Sequence, residues 1–158
     1  MRYGQELYGI PASQDCLSLI FNKALFDAEG LDYPDSTWTE QDLLSAAEQL
    51  TRQDVQGLAL PIKTAYWWFP IQEGFGGALF DESGNPTLDS NGSSESMRWM
   101  LDLELEHEVV ATGTQIEGMK NQFITSKAAM IIDGPWNWAT YEDSRLSIGQ
   151  TLLPTVTE

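Results

Sequence analysis

Aromatic side chains are the residues of this 158-residue sequence best suited to bind a ligand. Two tight groups, Tyr66-Trp67-Trp68 and Trp136-Asn137-Trp138, follow the predicted strands Gly57–Pro61 and Ala128–Asp133. Ligands of α/β sheets bind at the carboxyl ends of strands. An aromatic face beside acids and amides suits a sugar, which offers apolar C–H faces and a rim of hydroxyls. The pattern alone leaves Tyr66, Trp67 and Trp136 divided evenly between core and binding site, and it favours the core for Trp38, Trp68 and Trp99.

Catalytic and metal-binding patterns are weak by comparison. A single histidine, His107, and a single cysteine, Cys16, exclude a disulfide framework, a Cys/His zinc site and an HExxH metalloenzyme. His107 lies in the acidic run Glu104–Glu108, which predicts a solvated side chain rather than an oriented base. With 24 acidic residues, a carboxylate pair able to flank a glycosidic bond is always available and carries little weight. We predict that the chain is not an enzyme and uses no cofactor and no metal.

The composition restricts the partners. The net charge of −16 argues against nucleic acid and against an anionic membrane surface, since both bind basic patches. Apolar runs such as Ala128–Ile132 are far shorter than the roughly 18 residues of a membrane span. The start of the chain lacks the basic and apolar segments of a signal peptide, so we expect none in this sequence.

The elements that must position the aromatic residues alternate between strands and helices, which predicts a layered α/β domain. The predicted strands are Leu7–Pro11, Leu17–Asn22, Gly57–Pro61, Ala128–Asp133 and Leu146–Leu153. The predicted helices are 38–52, Tyr66–Gly74, a helix from Ser93 or Ser94 to about Glu108, Met119–Ser126 and Trp138–Ser144.

Three local features refine this prediction. Thr37 and Glu40 have the spacing of a capping box at the start of the first helix. The inner side of the helix that begins at Ser93 or Ser94 is predicted to carry Met97, Met100, Leu101 and Leu105. The turn-forming residues Glu82–Asn85 predict a small surface hairpin.

The order of these features resembles the carbohydrate-binding solute receptors of ABC importers, the maltose-binding-protein-like family. The resemblance runs over the whole chain, and each matching piece is weak alone while the ordered set is strong. The pieces are Leu7–Pro11, Leu17–Lys23, Thr37-Trp38, Gly76–Asp81, Phe123–Met130, Ile132–Trp136 and Gly149–Pro154.

The resemblance implies a periplasmic-binding-protein-like fold, a single lobe with a mixed sheet flanked by helices. Family members have two lobes, and residues 1–158 match the central part of the second lobe, so the chain looks like one truncated domain. Residues 1–11 and 152–158 then look like stumps of strands that cross the hinge. We therefore expect Leu7–Pro11 and Leu146–Leu153 to lie side by side in one sheet, and we expect the truncated lobe to self-associate.

The resemblance also implies sugar contacts. Asp15 matches a carboxylate near the hinge that bonds sugar hydroxyls, and Tyr66 with Trp67 matches a pair that offers a hydroxyl and a stacking face. Trp136 matches a stacking tryptophan. Thr64 stands where the maltose receptor has a second carboxylate, a departure that weakens the case for maltose itself.

We predict, on this basis, a sugar-binding component of an ABC importer that works with membrane permease subunits in the periplasm or outside the cell. The alternatives are a glycoside-acting enzyme or carbohydrate-binding module, and a receptor of the same fold for a non-sugar solute. Ferric iron would favour clustered tyrosines, and a carboxylated or phosphorylated solute would favour arginine. Neither aromatic group contains arginine.

Overall fold

The computed structural model of the chain describes residues 2–157. Its strands are β1 (Arg2–Tyr3), β2 (Glu6–Leu7), β3 (Ser18–Asn22), β4 (Gln56–Ala59), β5 (Ala128–Asp133) and β6 (Ile148–Thr151). Its α-helices are α1 (Lys23–Glu29), α2 (Glu40–Leu50), α3 (Ala65–Gly74), α4 (Asn91–Leu105), α5 (Ile116–Ile124) and α6 (Trp138–Asp143), and a 3₁₀ turn spans Pro135–Asn137.

A four-stranded mixed sheet in the order β4-β5-β3-β6 forms the centre of the fold. Strands β4 and β5 are parallel, with Ala59 opposite Ile131, whereas β3 is antiparallel to both β5 and β6. Every residue of β3 and β5 is buried. Because successive side chains of a strand point to opposite faces, both faces of the sheet are covered. The continuous apolar run that predicted β5 reflects this double burial.

Helices pack closely onto this sheet. Helix α2 lies against β4, and α5 lies against β5 and β4. At Gly57 of β4, a Cβ atom would overlap the backbone of Ala47 in α2, so the glycine is required by the close approach of helix and strand. Trp38, Trp68 and Trp99 are partly buried against the core, as predicted.

The capping box of α2 is shifted from its predicted position. Thr39, not Thr37, is the N-cap: its hydroxyl accepts from the Asp42 backbone N–H at 3.2 Å, and the Asp42 carboxylate accepts from the Thr39 N–H at 2.8 Å. Thr37 instead donates its backbone N–H and its hydroxyl to Asp35. Two overlapping cap patterns exist in the sequence, and the predicted one belongs to the turn before the helix.

The inner face of α4 also differs from the prediction. Met100 is fully buried, but Met97, Leu101 and Leu105 are exposed, and Leu103 lies inward instead. The helix carries two apolar stripes, and packing buries the one that contains Met100 and Leu103. The helix also begins earlier than predicted, because Ser90 is the N-cap and accepts from the Ser93 N–H. Glycine packing sets the position of this first turn: a Cβ on Gly92 would overlap the backbone of Phe75 and Gly77.

The chain start forms a separate hairpin. Gly4, at φ +59°, turns the chain so that Leu7 pairs with Arg2 in the two-stranded sheet β1-β2. The strand predicted at Leu7–Pro11 is therefore wrong beyond Leu7. The expectation that this segment lies beside β6 in one sheet is also wrong, because β6 pairs with β3.

The segment after β6 is fixed to the start of α2. Glu40 donates its N–H to the Thr155 carbonyl at 2.9 Å, and its carboxylate accepts from the backbone and hydroxyl of Thr157 at 3.0 and 2.9 Å. Glu158 lies outside the described residues. Within the described part of the chain, every helix is too short or too polar to cross a bilayer.

Candidate ligand-binding site

Residues from the two aromatic groups meet at one edge of the sheet. The ring centroid of Tyr66 lies 5.4 Å from that of Trp67 and 5.8 Å from that of Trp136, with interplanar angles of 74° and 65°. Both are edge-to-face contacts, which aromatic rings favour. The contact follows from the topology, because β4 and β5 are parallel neighbours and each leads into one of the two groups.

Exposure separates the three rings. Tyr66 is 46% exposed and Trp136 is 45% exposed, whereas Trp67 is 5% exposed. The Trp67 indole N–H donates to the Ile132 carbonyl at 2.7 Å, which attaches α3 to β5. The open stacking face that the resemblance implied for Trp67 does not fit this burial. Trp67 acts as a core residue that supports Tyr66.

The Asp133 carboxylate holds the turn that carries Trp136. One oxygen accepts from the Gly134 N–H at 2.8 Å, and the other accepts from the Asn137 amide at 2.8 Å and from the Tyr141 hydroxyl. Asp133 and Tyr141 are fully buried. Burial, followed by the hydrogen bond to Asp133, raises the pKa of Tyr141, so this phenol remains a donor to the carboxylate.

An open cleft of about 630 Å³ lies beside the aromatic cluster. One face of α3 forms much of its wall, through Tyr66, Phe69, Pro70 and Glu73. Gln72 of the same helix also lines the cleft, and the rest of the lining comes from neighbouring segments: Cys16, Leu17, Gly77, Ala78, Leu79 and Leu153. Of the predicted site residues, Tyr66 lines this cleft, and Trp136 contacts Tyr66 from beside it.

Asp15 and Thr64 lie at the margin of the site. Asp15 is exposed and directly precedes Cys16, which lines the cleft. Thr64 is the N-cap of α3, and its carbonyl accepts from the N–H groups of Trp67 and Trp68 at 3.0 and 3.3 Å, while its side chain makes no capping hydrogen bond. The structure thus groups the aromatic residues closely and leaves these two polar residues around them.

Sequence reasoning missed most of the cleft lining. Residues 66, 69, 70 and 73 recur at spacings of three and four, the pattern of one helix face, and this spacing could have revealed Phe69 and Glu73. Leu79 and Leu153 carry no comparable pattern, because only the tertiary fold brings their segments to α3.

The chemistry of the site is apolar and acidic. Among the described residues, neither lysine nor arginine lines the cleft, and Glu73 provides a carboxylate. Residues 2–157 contain no group of three His, Cys, Asp or Glu side chains arranged to hold a metal ion. Aromatic surface with carboxylate and hydroxyl groups at its margin can bind a neutral, hydroxylated molecule.

A mixed sheet flanked by helices, with an aromatic cleft at one edge, is a layered α/β fold with a candidate ligand-binding site. The family profile described as bacterial extracellular solute-binding protein matches residues 1–150. The chain belongs to this family of bacterial extracellular solute-binding proteins, which confirms the predicted resemblance.

Individual relatives match over different shares of the chain. A probable amino-acid ABC transporter periplasmic-binding protein of Sinorhizobium fredii is 31% identical over 108 residues, or 64% of this chain and 24% of that protein. The maltotriose-binding protein of Pyrococcus abyssi is 23% identical over 157 residues, or 99% of this chain and 33% of that protein.

A solved structure confirms the predicted fold class. The ABC substrate-binding protein from Listeria monocytogenes in complex with cycloalternan matches with a TM-score of 0.81 at 25% identity, over 90% of this chain and 38% of that chain. The sequence thus spans well under half the length of each of these relatives.

Proposed function

We propose that this chain provides a sugar-binding surface within the substrate-binding component of an ABC importer for carbohydrate. The observation that carries the proposal is the half-exposed pair of Tyr66 and Trp136, whose ring centroids lie 5.8 Å apart at the carboxyl edge of parallel strands. A sugar ring can stack its C–H face on Trp136 while its hydroxyls reach polar groups nearby.

Asp15, Thr64 and Tyr66 are the polar partners in this proposal. A hydrogen bond to a charged acceptor contributes about 1.5–3 kcal/mol, more than a neutral one, so the Asp15 carboxylate would orient the sugar most strongly. The hydroxyls of Tyr66 and Thr64 can donate or accept and would select among sugar hydroxyl patterns. Trp67 takes no direct part and keeps Tyr66 in place through its bond to Ile132.

Relatives support a carbohydrate ligand. The Pyrococcus protein is described as maltotriose-binding, and the Listeria structure contains cycloalternan. These are oligosaccharides, and an open cleft of about 630 Å³ has room for several sugar rings of such a chain. Transport of the sugar would require permease subunits in the membrane and a location in the periplasm or at the cell surface.

An amino acid is the second candidate ligand, because the Sinorhizobium relative is described as a probable amino-acid transporter component. A free amino acid carries a carboxylate, for which arginine is the preferred partner. The described lining of the cleft contains one acid, Glu73, and two aromatic residues, Tyr66 and Phe69, but no base. We therefore favour the sugar.

Ligand-observed NMR on the purified chain tests the proposal. Saturation-transfer difference spectra would be recorded with maltotriose, with cycloalternan and with a mixture of amino acids. We expect transfer to ring protons of at least one sugar and none to the amino acids. Transfer to amino acids alone would contradict the proposal, and so would release of shortened sugars during the measurement, which would indicate a glycoside-acting enzyme.

A further inference from the structure

The ring of Trp136 lies directly over the backbone of Gly134. A Cβ atom on Gly134 would lie 2.6 Å from Cε3 of the indole and closer still to Cζ3 and Cη2. The backbone of Gly134, with φ −112° and ψ 174°, is extended and open to any residue. Glycine is therefore needed at position 134 to leave space for the tryptophan ring, and not to allow a special backbone conformation.

Asp133 fixes the same turn on both sides of Trp136. Its carboxylate accepts from the Gly134 N–H before the tryptophan and from the Asn137 amide after it, each at 2.8 Å. Its carbonyl accepts from the Ser18 hydroxyl of the neighbouring strand β3 at 3.3 Å. The buried Tyr141 hydroxyl completes the set of donors. A fully buried carboxylate held by these groups leaves the turn little freedom.

We propose that Asp133 and Gly134 are positioning residues that hold Trp136 against Tyr66 as a preformed sugar platform. The inference rests on the proposed sugar-binding function. The Gly134 backbone packs against the indole, and Tyr66 makes an edge-to-face contact with it. Trp136 nevertheless stays 45% exposed, so part of the indole surface is open to a ligand. A ring held in its bound orientation loses less freedom when the ligand arrives, so preorganisation raises affinity.

Gly134→Ala tests the glycine, with Gly118→Ala as the matched control. A Cβ on Gly118 in α5 would meet nothing within 4 Å. In Gly134→Ala the new methyl group meets the far end of a half-exposed side chain, so the ring moves and the fold remains. We expect the nuclear Overhauser effects between the ring protons of Tyr66 and Trp136 to disappear, while the control keeps them. The Trp136 signals are assigned by their loss in Trp136→Phe.

Sugar affinity is the second measurement on the same variants. We expect Gly134→Ala to bind about tenfold more weakly or worse, and Gly118→Ala to bind as the unmodified chain does. Overhauser effects retained in Gly134→Ala would overturn the proposal, as would their loss with unchanged affinity. If the unmodified chain binds no sugar while Gly134→Ala still loses the ring contact, the positioning geometry stands and the proposed function fails.

Asp133 is tested by a graded pair of variants. Asp133→Asn keeps an oxygen for the Gly134 N–H, and Asp133→Ala removes every side-chain acceptor. We expect the Tyr66–Trp136 contact to weaken in Asp133→Asn and to vanish in Asp133→Ala. If Asp133→Ala does not fold, Asn137→Ala removes one hydrogen bond that holds the turn and leaves the buried carboxylate in place. This variant should also weaken the contact between Tyr66 and Trp136. An unchanged contact in Asp133→Asn and Asn137→Ala would contradict the role of Asp133.

Discussion

Replacing Trp67 and Trp136 separately by alanine should have different effects: Trp67→Ala should mainly lower the free energy of unfolding, and Trp136→Ala should mainly weaken sugar binding. Truncation of a buried tryptophan costs about 3–5 kcal/mol, and Trp67, at 5% exposure, should lose that full amount. It also leaves the Ile132 carbonyl without its indole donor, which places the cost of Trp67→Ala at the upper end of about 3–5 kcal/mol. Trp136 is a little over half buried, and scaling the same range by that fraction gives about 2 kcal/mol.

Sugar affinity should follow the opposite order. Trp136→Ala removes the stacking surface and should weaken binding at least tenfold, which corresponds to about 1.4 kcal/mol. For Trp67 the milder variant Trp67→Phe keeps a ring beside Tyr66, and it should retain most of the affinity while losing about 1 kcal/mol of stability with the hydrogen bond.

Urea denaturation gives the free energies of unfolding, and titration with the sugar that shows the strongest transfer gives the affinities. Phe80→Ala serves as a control, because Phe80 is an exposed aromatic residue in the surface turn before Pro86. Equal destabilisation by Trp136→Ala and Trp67→Ala, with sugar affinity unchanged in Trp136→Ala, would refute the assignment of Trp136 to the binding site.

Three further predictions concern the fold. Thr39→Ala should cost about 1 kcal/mol in urea denaturation and Thr37→Ala less, because Thr39 caps α2; equal losses would contradict this assignment. Hydrogen bonds from the side chain and backbone of Thr39 hold the pKa of Asp42 below its ordinary value. The stabilisation that these hydrogen bonds give is complete at neutral pH, and it is lost as the pH falls through the lowered folded-state pKa. The stability difference between Thr39→Ala and the unmodified chain should therefore shrink in acid, and a difference independent of pH would refute the coupling. Exposed Met97, Leu101 and Leu105 on α4 should promote self-association once salt screens the charge of −16, and a chain that sediments as a monomer at low and high salt would contradict this.

Strand β5 shows what the sequence could establish. Its predicted and observed bounds agree, because a continuous apolar run followed by Gly-Pro is buried on both faces and then must turn. The predicted helix Tyr66–Gly74 agrees with α3 to within one residue. Local sequence patterns predicted the bounds of both elements because each pattern is compatible with a single structure.

Competing patterns explain the errors. Thr37 and Thr39 both fit a cap, and α4 carries two apolar stripes, of which tertiary packing selects the one with Met100 and Leu103. The burial of Trp67 depends on the carbonyl of Ile132 in another strand, which no local pattern encodes. The contact of Tyr66 with Trp136 was foreseeable from two strand ends, but its geometry depends on Gly134.

Intermolecular Overhauser effects between a bound oligosaccharide and the protein test the central claim most directly. The experiment uses the unmodified chain with maltotriose, with assignments taken from Tyr66→Phe and Trp136→Phe. We expect effects from sugar ring C–H protons to the indole of Trp136 and to the ring of Tyr66. Effects confined to other exposed aromatic residues, such as Phe80 or Tyr33, would place the sugar elsewhere and contradict the account.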